Sequence, residues 1–509
     1  MNRVTTTRNH TNRSSGHIIY RIKKHITLIL FVAFFVFMFH DAYSKSKAEI
    51  ALDAALSGNE TTAVIDYNTA LAENPNDFVS AANCVILLGR TGQDDKAEAM
   101  FRKALGLDNN RVVNTAFAEF LLNRNRAQEA LPYAERGGND PHGYGGVILG
   151  KIDIALGKNE EAIHAFTNAL VNNEHLDQAF DDLIPLLMAD GNYETAAKYL
   201  RGALTDFPEP GALYWYGVIS EKKNDVTTAI REYAHYIELY PRGKYRSKCI
   251  DRLKELKPAV DYDAAVNRRL QEYLRIPADA MGDRVLVAGR RWVYNVKWKF
   301  LHLGTMDVET IEKTTINNEP VWHLRYILKS NPSIPLVKID DTYETYVDPA
   351  FRYTHRYFLI SNKNSLLDRK FYDFSLEQGW FHARSTDDDG ILFYVEKDLP
   401  FDLYDGISVL TWARLIVSKN KPGRAITVVD EDYKYSTILP GITDDDISIN
   451  GHHYHTRTFN AQINYVGIAG LTGKAVGWIT ADSESLPVRA LFEITIGSIE
   501  LKLDRVEGK

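Results

Sequence analysis

The feature that most constrains this chain is an alanine that returns about every 33 residues. Between residues 63 and 229 it recurs at intervals of 34, 33, 32, 34 and 33 residues. The six positions are Ala63, Ala97, Ala130, Ala162, Ala196 and Ala229. A fixed period of this length is typical of helical repeat proteins, in which stacked helix pairs bury a continuous core. The spacing therefore predicts an α-helical solenoid over this part of the chain.

Two further patterns run in phase with the alanine. The residue four positions later is mostly large and the residue seven positions later mostly small, and these three positions share one helical face. Five positions earlier stands Gly58, Gly92, Asn125, Gly157, Gly191 or Asn224. Because Gly and Asn tolerate the left-handed conformation that ends a helix, we expect a helix–turn–helix unit at each repeat. The third repeat contains Pro132 and Gly137, which predict a bent or loose second helix.

These residues resemble the tetratricopeptide repeat, with Gly150 and Gly217 at matching positions of the first helices. The resemblance covers six copies in residues 44–242, and residues 243–257 predict a polar cap helix. It implies a concave groove, lined by the first helices, that binds peptides or proteins. Seven residues are expected near that groove, namely Arg90, Glu119, Tyr144, Lys151, Tyr214, Glu221 and Lys222. Their charges are of mixed sign, so a solvated helix face or a spacer is the alternative.

The N-terminus carries an export signal or a membrane anchor. Residues 1–25 hold six Lys and Arg and no acidic residue, and residues 26–39 are an unbroken apolar run. As a helix this run spans only ~21 Å of a ~30 Å bilayer core, which is typical of a signal peptide. Residues up to 43 could extend it into an uncleaved anchor, while Ser44 could follow a cleavage site. Both alternatives predict a cytoplasmic basic tail and an exported body, and we expect an inner-membrane anchor at 26–43 with the body in the periplasm.

Charge and cysteine content exclude two classes of protein. After residue 25 the chain has 54 basic against 67 acidic residues, so a general nucleic-acid binder is excluded. Two cysteines, Cys84 and Cys249, exclude a disulfide scaffold. They also make a poor disulfide pair, because they are expected at opposite ends of a rod.

Residues 258–283 form a linker with an amphipathic segment at 263–275, and residues 284–509 read as a β-domain. Apolar residues alternate at 292–298, and turns at 377–379 and 497–498 separate pairs of strands. One helix is predicted at 405–417, with an apolar stripe of Val409, Trp412, Ala413 and Ile416. We expect a mainly antiparallel, barrel-like sheet whose concave face this helix covers or plugs, with Trp412 among the aromatics of 292–298.

The β-domain resembles a family of exported bacterial domains of unknown function. The resemblance covers residues 284–507 and is carried by segments 289–298, 341–349, 405–414, 421–423 and 478–489. It implies an extracytoplasmic, barrel-like fold and no agreed activity. The whole chain is thus expected to be multidomain, an all-α solenoid followed by a mainly antiparallel β-domain with one helix.

Three sets of residues match catalytic or metal-binding patterns only in part. Ser385, Asp387, Asp389, Gly390 and Glu396 match the spacing of a calcium loop, but predicted strands flank them, which favours a hairpin turn. His452, His453 and His455 could hold a transition metal with a further ligand, and Asp341, Glu344 and Asp348 could pair as acid and base. Structural roles are favoured for both sets. We expect no cofactor, no metal and no enzymatic activity.

The sequence therefore predicts a membrane-tethered cell-envelope scaffold that recruits a protein through its repeats, with the β-domain as a second binding module. The alternative is an envelope lipid or glycan carrier with a cavity in the β-domain. The residues that would line this cavity are Trp292, Tyr294, Trp298, Tyr346 and Trp412. A wide apolar cavity would favour the carrier and a filled core would favour the scaffold; a hydrolase is a third, weaker interpretation.

Overall fold

The computed structural model describes residues 45–508 except 139–142, 174–175, 206, 276–279, 335–337, 364–365, 388, 464–472 and 495–496. The N-terminal half consists of six antiparallel helix pairs. The first helices are α1 (Lys47–Leu56), α3 (Phe78–Arg90), α5 (Arg111–Leu122), α7 (Tyr144–Ala155), α9 (Asp177–Ala189) and α11 (Pro210–Lys222). The second helices are α2 (Glu60–Glu73), α4 (Asp94–Leu107), α6 (Ala127–Gly137), α8 (Asn159–Asn172), α10 (Tyr193–Gly202) and α12 (Val226–Leu239).

The turns and contacts of these pairs follow from the repeated sequence pattern. All six predicted Gly and Asn positions have a positive φ, between 57° at Asn125 and 86° at Gly58, which confirms the left-handed turns. Large residues of second helices pack against glycines of first helices. A Cβ at Gly150 would lie 2.7 Å from the Phe166 ring, and one at Gly217 would lie 2.6 Å from the Tyr233 ring. Only glycine therefore permits this closeness of the helices.

In the third repeat, α6 is continuous from Ala127 to Gly137 with Pro132 inside it, so the proline does not end the helix, and the predicted bend stays a prediction. Ala134, which replaces the large residue, is buried. The ring of Tyr133, one position earlier, packs edge-on against Phe117 with 4.6 Å between centroids. Neighbouring aromatic side chains thus fill the space that the missing large residue leaves.

Helices α13 (Arg246–Leu256), α14 (Tyr262–Leu274) and α15 (Met281–Val285) connect the repeats to the sheet. The predicted linker segment packs on both neighbours. Arg246 of α13 donates to Asp263 at 2.6 Å, and the Tyr273 hydroxyl donates to the Arg352 carbonyl at 2.7 Å. The Tyr273 ring also lies 4.4 Å from Phe401. The linker is therefore bound to both halves and is no free spacer.

The C-terminal half is one sheet that comprises fifteen strands in the described residues. The strands are β1 (Arg290–Trp298), β2 (Leu301–Ile316), β3 (Glu319–Ser330), β4 (Ile339–Val347), β5 (Thr354–Lys363), β6 (Leu366–Ser375), β7 (Trp380–Thr386), β8 (Leu392–Asp398), β9 (Leu403–Tyr404), β10 (Gly423–Val429), β11 (Asp432–Ile449), β12 (His452–Ile463), β13 (Gly473–Thr480), β14 (Pro487–Ile494) and β15 (Gly497–Glu507). Their order in the sheet is β8-β7-β6-β5-β4-β3-β2-β1-β15-β14-β13-β12-β11-β10-β9. Every neighbouring pair is antiparallel except β9 and β10. The sheet is thus mainly antiparallel, as predicted.

The sheet curves so that β8, at one end of the order, contacts β11, near the other end, through side chains. Lys397 of β8 donates to Asp432 of β11 at 2.7 Å, and the Tyr433 hydroxyl donates to the Asp398 carbonyl at 2.8 Å. The Tyr372 hydroxyl of β6 donates to the Glu431 carboxylate at 2.8 Å. In the described strands no backbone ladder joins β8 to β9, so the sheet is not a closed barrel.

Helix α16 (Ser408–Ser418) packs on the curved sheet, close to the predicted bounds. The Asp405 carboxylate accepts from the backbone N–H groups of Ile407 and Ser408 and so caps its start. Contacts to β10, β11 and β12 hold one side. On the other side the Thr411 and Tyr326 hydroxyls share a hydrogen bond of 2.8 Å. The helix thus bridges strands that are far apart in the sheet order.

The expected position of Trp412 was wrong in one respect. Its ring lies 5.6 Å from Tyr404 and against Gly423, whereas Arg414 stacks over the Trp292 ring at 4.5 Å. Residues two positions apart point to nearly opposite sides of a helix, so the side chain facing β1 is Arg414. Burial lowers the pKa of Arg414 to about 10.

The described residues include no helix long and apolar enough to cross a bilayer. Residues 26–43, where the anchor or signal peptide is predicted, and the basic tail at 1–25 lie outside the described residues.

Candidate protein-binding groove

The first helices of the N-terminal repeats face the β-domain, and the turn between β7 and β8 lies against them. We call residues 380–398 the β7–β8 hairpin. Asn83 of α3, which is 1% exposed, donates to the Gly390 carbonyl at 3.1 Å and accepts from the Leu392 N–H at 2.8 Å. The same amide also donates to the Tyr67 hydroxyl at 3.1 Å. Asn83 thus holds two backbone groups of the hairpin in a fixed orientation.

Side chains extend this contact along the hairpin. Ile391 and Leu392 are buried in the apolar cluster of the first three repeats. The Arg90 guanidinium stacks on the Tyr394 ring at 3.8 Å, and Glu60 fixes it through a 2.9 Å ion pair. The N-terminal section of the groove is therefore filled by the protein's own hairpin.

The middle section of the groove is open. A cavity of about 370 Å³ is lined by Lys151, Gln178, Asp181, Asp182 and Lys244. Burial raises the pKa of Asp182, which the nearby Lys151 ammonium partly offsets. Asp181 has a lowered pKa because hydrogen bonds from Lys244, Tyr245 and Trp215 outweigh the effect of its burial. The section thus offers an ammonium, an amide and a carboxylate, which suit a polar peptide segment.

The C-terminal section is closed by aromatic and acidic side chains. Tyr214 of α11 stacks on Tyr245 with 4.3 Å between centroids. The Asp398 carboxylate, at the end of β8, accepts from the Tyr236 hydroxyl at 2.9 Å and from the Lys244 N–H at 3.0 Å. Phe207 packs edge-on against Tyr433 of β11 at 5.5 Å. The repeats therefore contact the β-domain at both ends and leave the middle section free.

Both halves match known families. Residues 293–504 match the model of a family described as a protein of unknown function, DUF3108, and residues 182–244 match a tetratricopeptide repeat model. The chain joins tetratricopeptide repeats to a DUF3108 domain. No curated protein matches it.

The repeats are similar to solved structures of other repeat proteins. PilF of Pseudomonas aeruginosa is 19% identical, with a TM-score of 0.34, and covers 44% of this chain and 96% of its own. PilW, a type IV pilus biogenesis factor, is 18% identical with a TM-score of 0.33 and coverages of 43% and 96%. YrrB, a repeat protein with an unusual peptide-binding site, is 19% identical with a TM-score of 0.29 and coverages of 40% and 97%.

The seven predicted groove residues occupy different environments. Arg90 contacts the hairpin, Lys151 lines the open cavity, and Tyr214 lies in the closed C-terminal section. The Tyr144 hydroxyl donates to Glu119 at 2.8 Å. Glu221 pairs with Arg252, and Lys222 is exposed at the end of α11. Their role in binding a partner stays a prediction.

Sequence reasoning missed the residues that organise the groove. Asn83 stands in a helix whose other buried residues are almost all apolar, and a buried amide needs partners, so this position carried a signal. Gln178, Asp181 and Asp182 of α9 and Lys244 of the following turn region carried no such signal, because polar residues on helix surfaces and in turns are common.

The side chains proposed to line a cavity in the DUF3108 domain do not share one. Trp292, Tyr294 and Trp412 are less than 10% exposed and belong to the packed core. The Tyr346 ring lies on the opposite face of β4 from Tyr343, stacked on His323 at 4.3 Å. Alternation along the strand places Tyr346 outside the sheet, so this part of the cavity prediction was wrong. Trp298 is half-buried at the end of β1.

The metal and acid–base candidates are structural. Asp387 accepts from the N–H groups of Asp389 and Ile391, which forms a hairpin turn. His455 bonds to Asp446 at 2.8 Å on the exposed side of β12, and this bond raises its pKa. The part of the chain that the structure describes holds no group of three potential metal ligands.

The three acidic residues of the β4 region are separated from one another. Asp341 accepts from Tyr343 and Ser361 inside the sheet, and Glu344 pairs with His323 and Arg325 outside it. Asp348 accepts from three backbone N–H groups of the following turn. The structure therefore does not bring them together as acid and base.

A second cavity, of about 260 Å³, lies where the repeats, α14 and the DUF3108 domain meet. Its lining includes Arg242, Arg352, Glu319 and His355. Burial lowers the pKa of His355 to about 4, so its imidazole is neutral at physiological pH. The nearest carboxylate oxygen, on Glu319, lies 3.5 Å from its Nδ1 atom.

Proposed function

We propose that this protein is a membrane-tethered scaffold of the cell envelope that recruits a protein partner through its tetratricopeptide repeats. Repeats of this type are typically non-enzymatic adaptors that bind peptides or proteins. In the proposal the body lies in the periplasm, the segment at 26–43 holds it at the inner membrane, and the DUF3108 domain is a second binding module. The protein carries out no catalysis in this role.

The open middle section of the groove carries the proposal. It is the part of the concave surface between the two contacts with the DUF3108 domain, so a partner can reach it without moving either half. Lys151 and Asp182 present opposite charges on neighbouring first helices, with the amide of Gln178 beside them. We expect a partner segment that is extended and carries both charge signs, since each charge then meets its opposite.

Crosslinking in intact cells tests this function. After crosslinking, the inner-membrane fraction is isolated. Recovery of the protein in this fraction tests the tether in the same experiment. We expect a defined partner to crosslink to the wild type and to be lost, by at least about tenfold, in Lys151→Glu, because the reversed charge repels the partner's acidic group instead of attracting it.

The matched control is Lys198→Glu, the same charge change on an exposed lysine of second helix α10. The Lys198→Glu protein should crosslink to the partner as the wild type does. Equal capture by both variants would remove the middle section as the binding site, and absence from the membrane fraction would contradict the tether.

The carrier alternative has no observation in its favour. Of the side chains that would line its cavity, Trp292, Tyr294 and Trp412 pack in the core of the DUF3108 domain, and Trp298 and Tyr346 lie outside that core. We therefore propose neither a lipid nor a glycan as a partner.

A further inference from the structure

We infer that the groove of repeats one to three is a peptide-recognition site whose resident ligand is the tip of the protein's own β7–β8 hairpin, residues 389–394, so that an outside peptide can enter only after this tip leaves. The inference goes beyond the proposed function, which uses the middle section alone.

The backbone contact is of a kind that recognises extended chains. In a strand, the carbonyl of one residue and the N–H of the second residue along point to the same edge. Asn83 bonds to this pair, the Gly390 carbonyl and the Leu392 N–H. β8 pairs only with β7, so the edge that Asn83 meets is the free edge of the sheet. Any extended segment presents the same two backbone groups. Asn83 therefore recognises an extended backbone, whatever side chains the segment carries.

Side chains add a sequence preference. Ile391 and Leu392 are 0% and 1% exposed within the apolar cluster of the first repeats. Tyr394, two positions after Leu392, lies under the Arg90 guanidinium. The site thus fits an extended segment with two aliphatic residues followed, two positions later, by an aromatic residue. In this protein the hairpin fills it, and the N-terminal groove is closed to other peptides.

The tip of the hairpin is bound as a ligand and is separable from the core of the DUF3108 domain, because Ile391 and Leu392 belong to the apolar cluster of the repeats. Its tip contacts the repeats through Asn83 and through Asn110, which donates to Asp389 at 3.4 Å. Gly390 lies 3.5 Å from Val79 of α3 when a Cβ is built on it. The side chains of the hairpin that belong to the aromatic core, Phe381 and Ala383, lie on β7 away from the tip, and helix α16 packs on β10 to β12. Displacement of the tip therefore leaves most core contacts in place.

A labelled peptide of residues 387–396 tests the inference, with binding to the full-length protein measured by fluorescence anisotropy. We expect Leu392→Asp to bind the peptide at least about tenfold more tightly than the wild type, because its own hairpin no longer fits the apolar groove. Adding Asn83→Leu to Leu392→Asp should remove the gain. Asn168→Leu, which makes the same change at an exposed asparagine of second helix α8, is the control and should keep the gain.

Equal binding by the wild type and Leu392→Asp would show that the groove is not closed, and would overturn the inference. Failure of Leu392→Asp to bind the peptide would overturn the recognition site. If Leu392→Asp does not fold, Tyr394→Ala replaces it, because Tyr394 is only partly buried.

Hydrogen exchange of the hairpin gives an independent measurement in proteins whose hairpin sequence is unchanged. We expect exchange at residues 389–395 to be at least about tenfold faster in Asn83→Leu than in the wild type, since a buried hydrogen bond is lost. Asn168→Leu should leave it unchanged. Unchanged exchange in Asn83→Leu would contradict the role of Asn83 as the residue that holds the hairpin.

Discussion

The repeats hold the DUF3108 domain at two ends, and the two contacts differ in chemistry. At the N-terminal end, the Asn83 amide and the aliphatic side chains of Ile391 and Leu392 hold the hairpin tip, and Arg369 of β6 pairs with Asp53 beside it. At the C-terminal end, the Tyr236 hydroxyl and the Lys244 N–H donate to the buried Asp398 carboxylate, and Phe207 packs against the β11 tyrosines. The first contact resembles a bound peptide, and the second resembles a domain core.

This difference shows which contact fixes the two halves and which can open. The C-terminal contact belongs to one continuous apolar cluster that runs from Phe207 through α14 into the sheet. The N-terminal contact adds only Phe371, Ile391 and Leu392 to the buried cluster of the first repeats. Because less apolar surface is buried there, we expect the hairpin to leave before the halves separate.

Phe207→Ala should have the largest effect on the comparison. Phe207 is fully buried and contacts Tyr433 and Tyr435, so we expect a loss of about 3–5 kcal/mol in the free energy of unfolding. Six of the seven tryptophans lie in the DUF3108 domain, and their fluorescence reports its unfolding while the helical circular dichroism signal reports the repeats. Both signals should shift to lower temperature.

Phe166→Ala is the matched control, since Phe166 is equally buried but packs only among the repeats. We expect Phe166→Ala to lower the free energy of unfolding by about the same amount, ~3–5 kcal/mol. The helical circular dichroism signal should melt earlier, and the tryptophan signal should change little, because each repeat contacts mainly its neighbours. A Phe207→Ala protein whose tryptophan signal melts unchanged would refute the shared core.

Asp398→Ala should have a smaller effect that depends on pH. The change leaves the Tyr236 hydroxyl and the Lys244 N–H without their acceptor, at a cost of about 1–3 kcal/mol. Burial raises the pKa of Asp398 above its usual value of 3.8. The folded protein therefore binds the proton more tightly than the unfolded chain, and the contribution of Asp398 to stability is largest below pH 3.8.

As the pH rises through the raised pKa, that contribution is lost, so the difference in unfolding free energy between the wild type and Asp398→Ala should shrink. Denaturant unfolding at a series of pH values measures it. Asp446→Ala, at an exposed position on β11, controls for removal of a carboxylate. A difference that grows with rising pH would contradict the assigned direction of the pKa shift.

Arg90→Ala should have the smallest effect. It removes the guanidinium from the Tyr394 ring, and we expect a loss of about 0.5–1 kcal/mol together with faster hydrogen exchange of the hairpin. Arg102→Ala removes a comparable surface arginine, paired with Glu98, that does not contact the hairpin. If the hairpin amides exchange at the same rate in both variants, the stacking of Arg90 on Tyr394 does not hold the hairpin.

Much of the fold could be predicted because its signals are local. The six left-handed turns follow from Gly and Asn at fixed offsets, and α16 follows from its apolar stripe and the cap at Asp405. The misplacement of Tyr346 came from treating aromatic residues as a set, although alternation along β4 puts Tyr343 and Tyr346 on opposite faces. Pro132 does not end α6, which continues to Gly137, and the adjacent Tyr133 packs on Phe117.

The sequence by itself determined the two kinds of domain, their order along the chain and the helices that form the groove. Periodicity carries this information, since residues 3.6 or 2 positions apart must share a buried face. Only the tertiary structure decided that the hairpin fills one end of the groove, because Asn83 and Gly390 are 307 positions apart. No local pattern encodes that pairing. It depends on how two separately folded surfaces fit, and that fit closes one end of the groove and leaves the middle open.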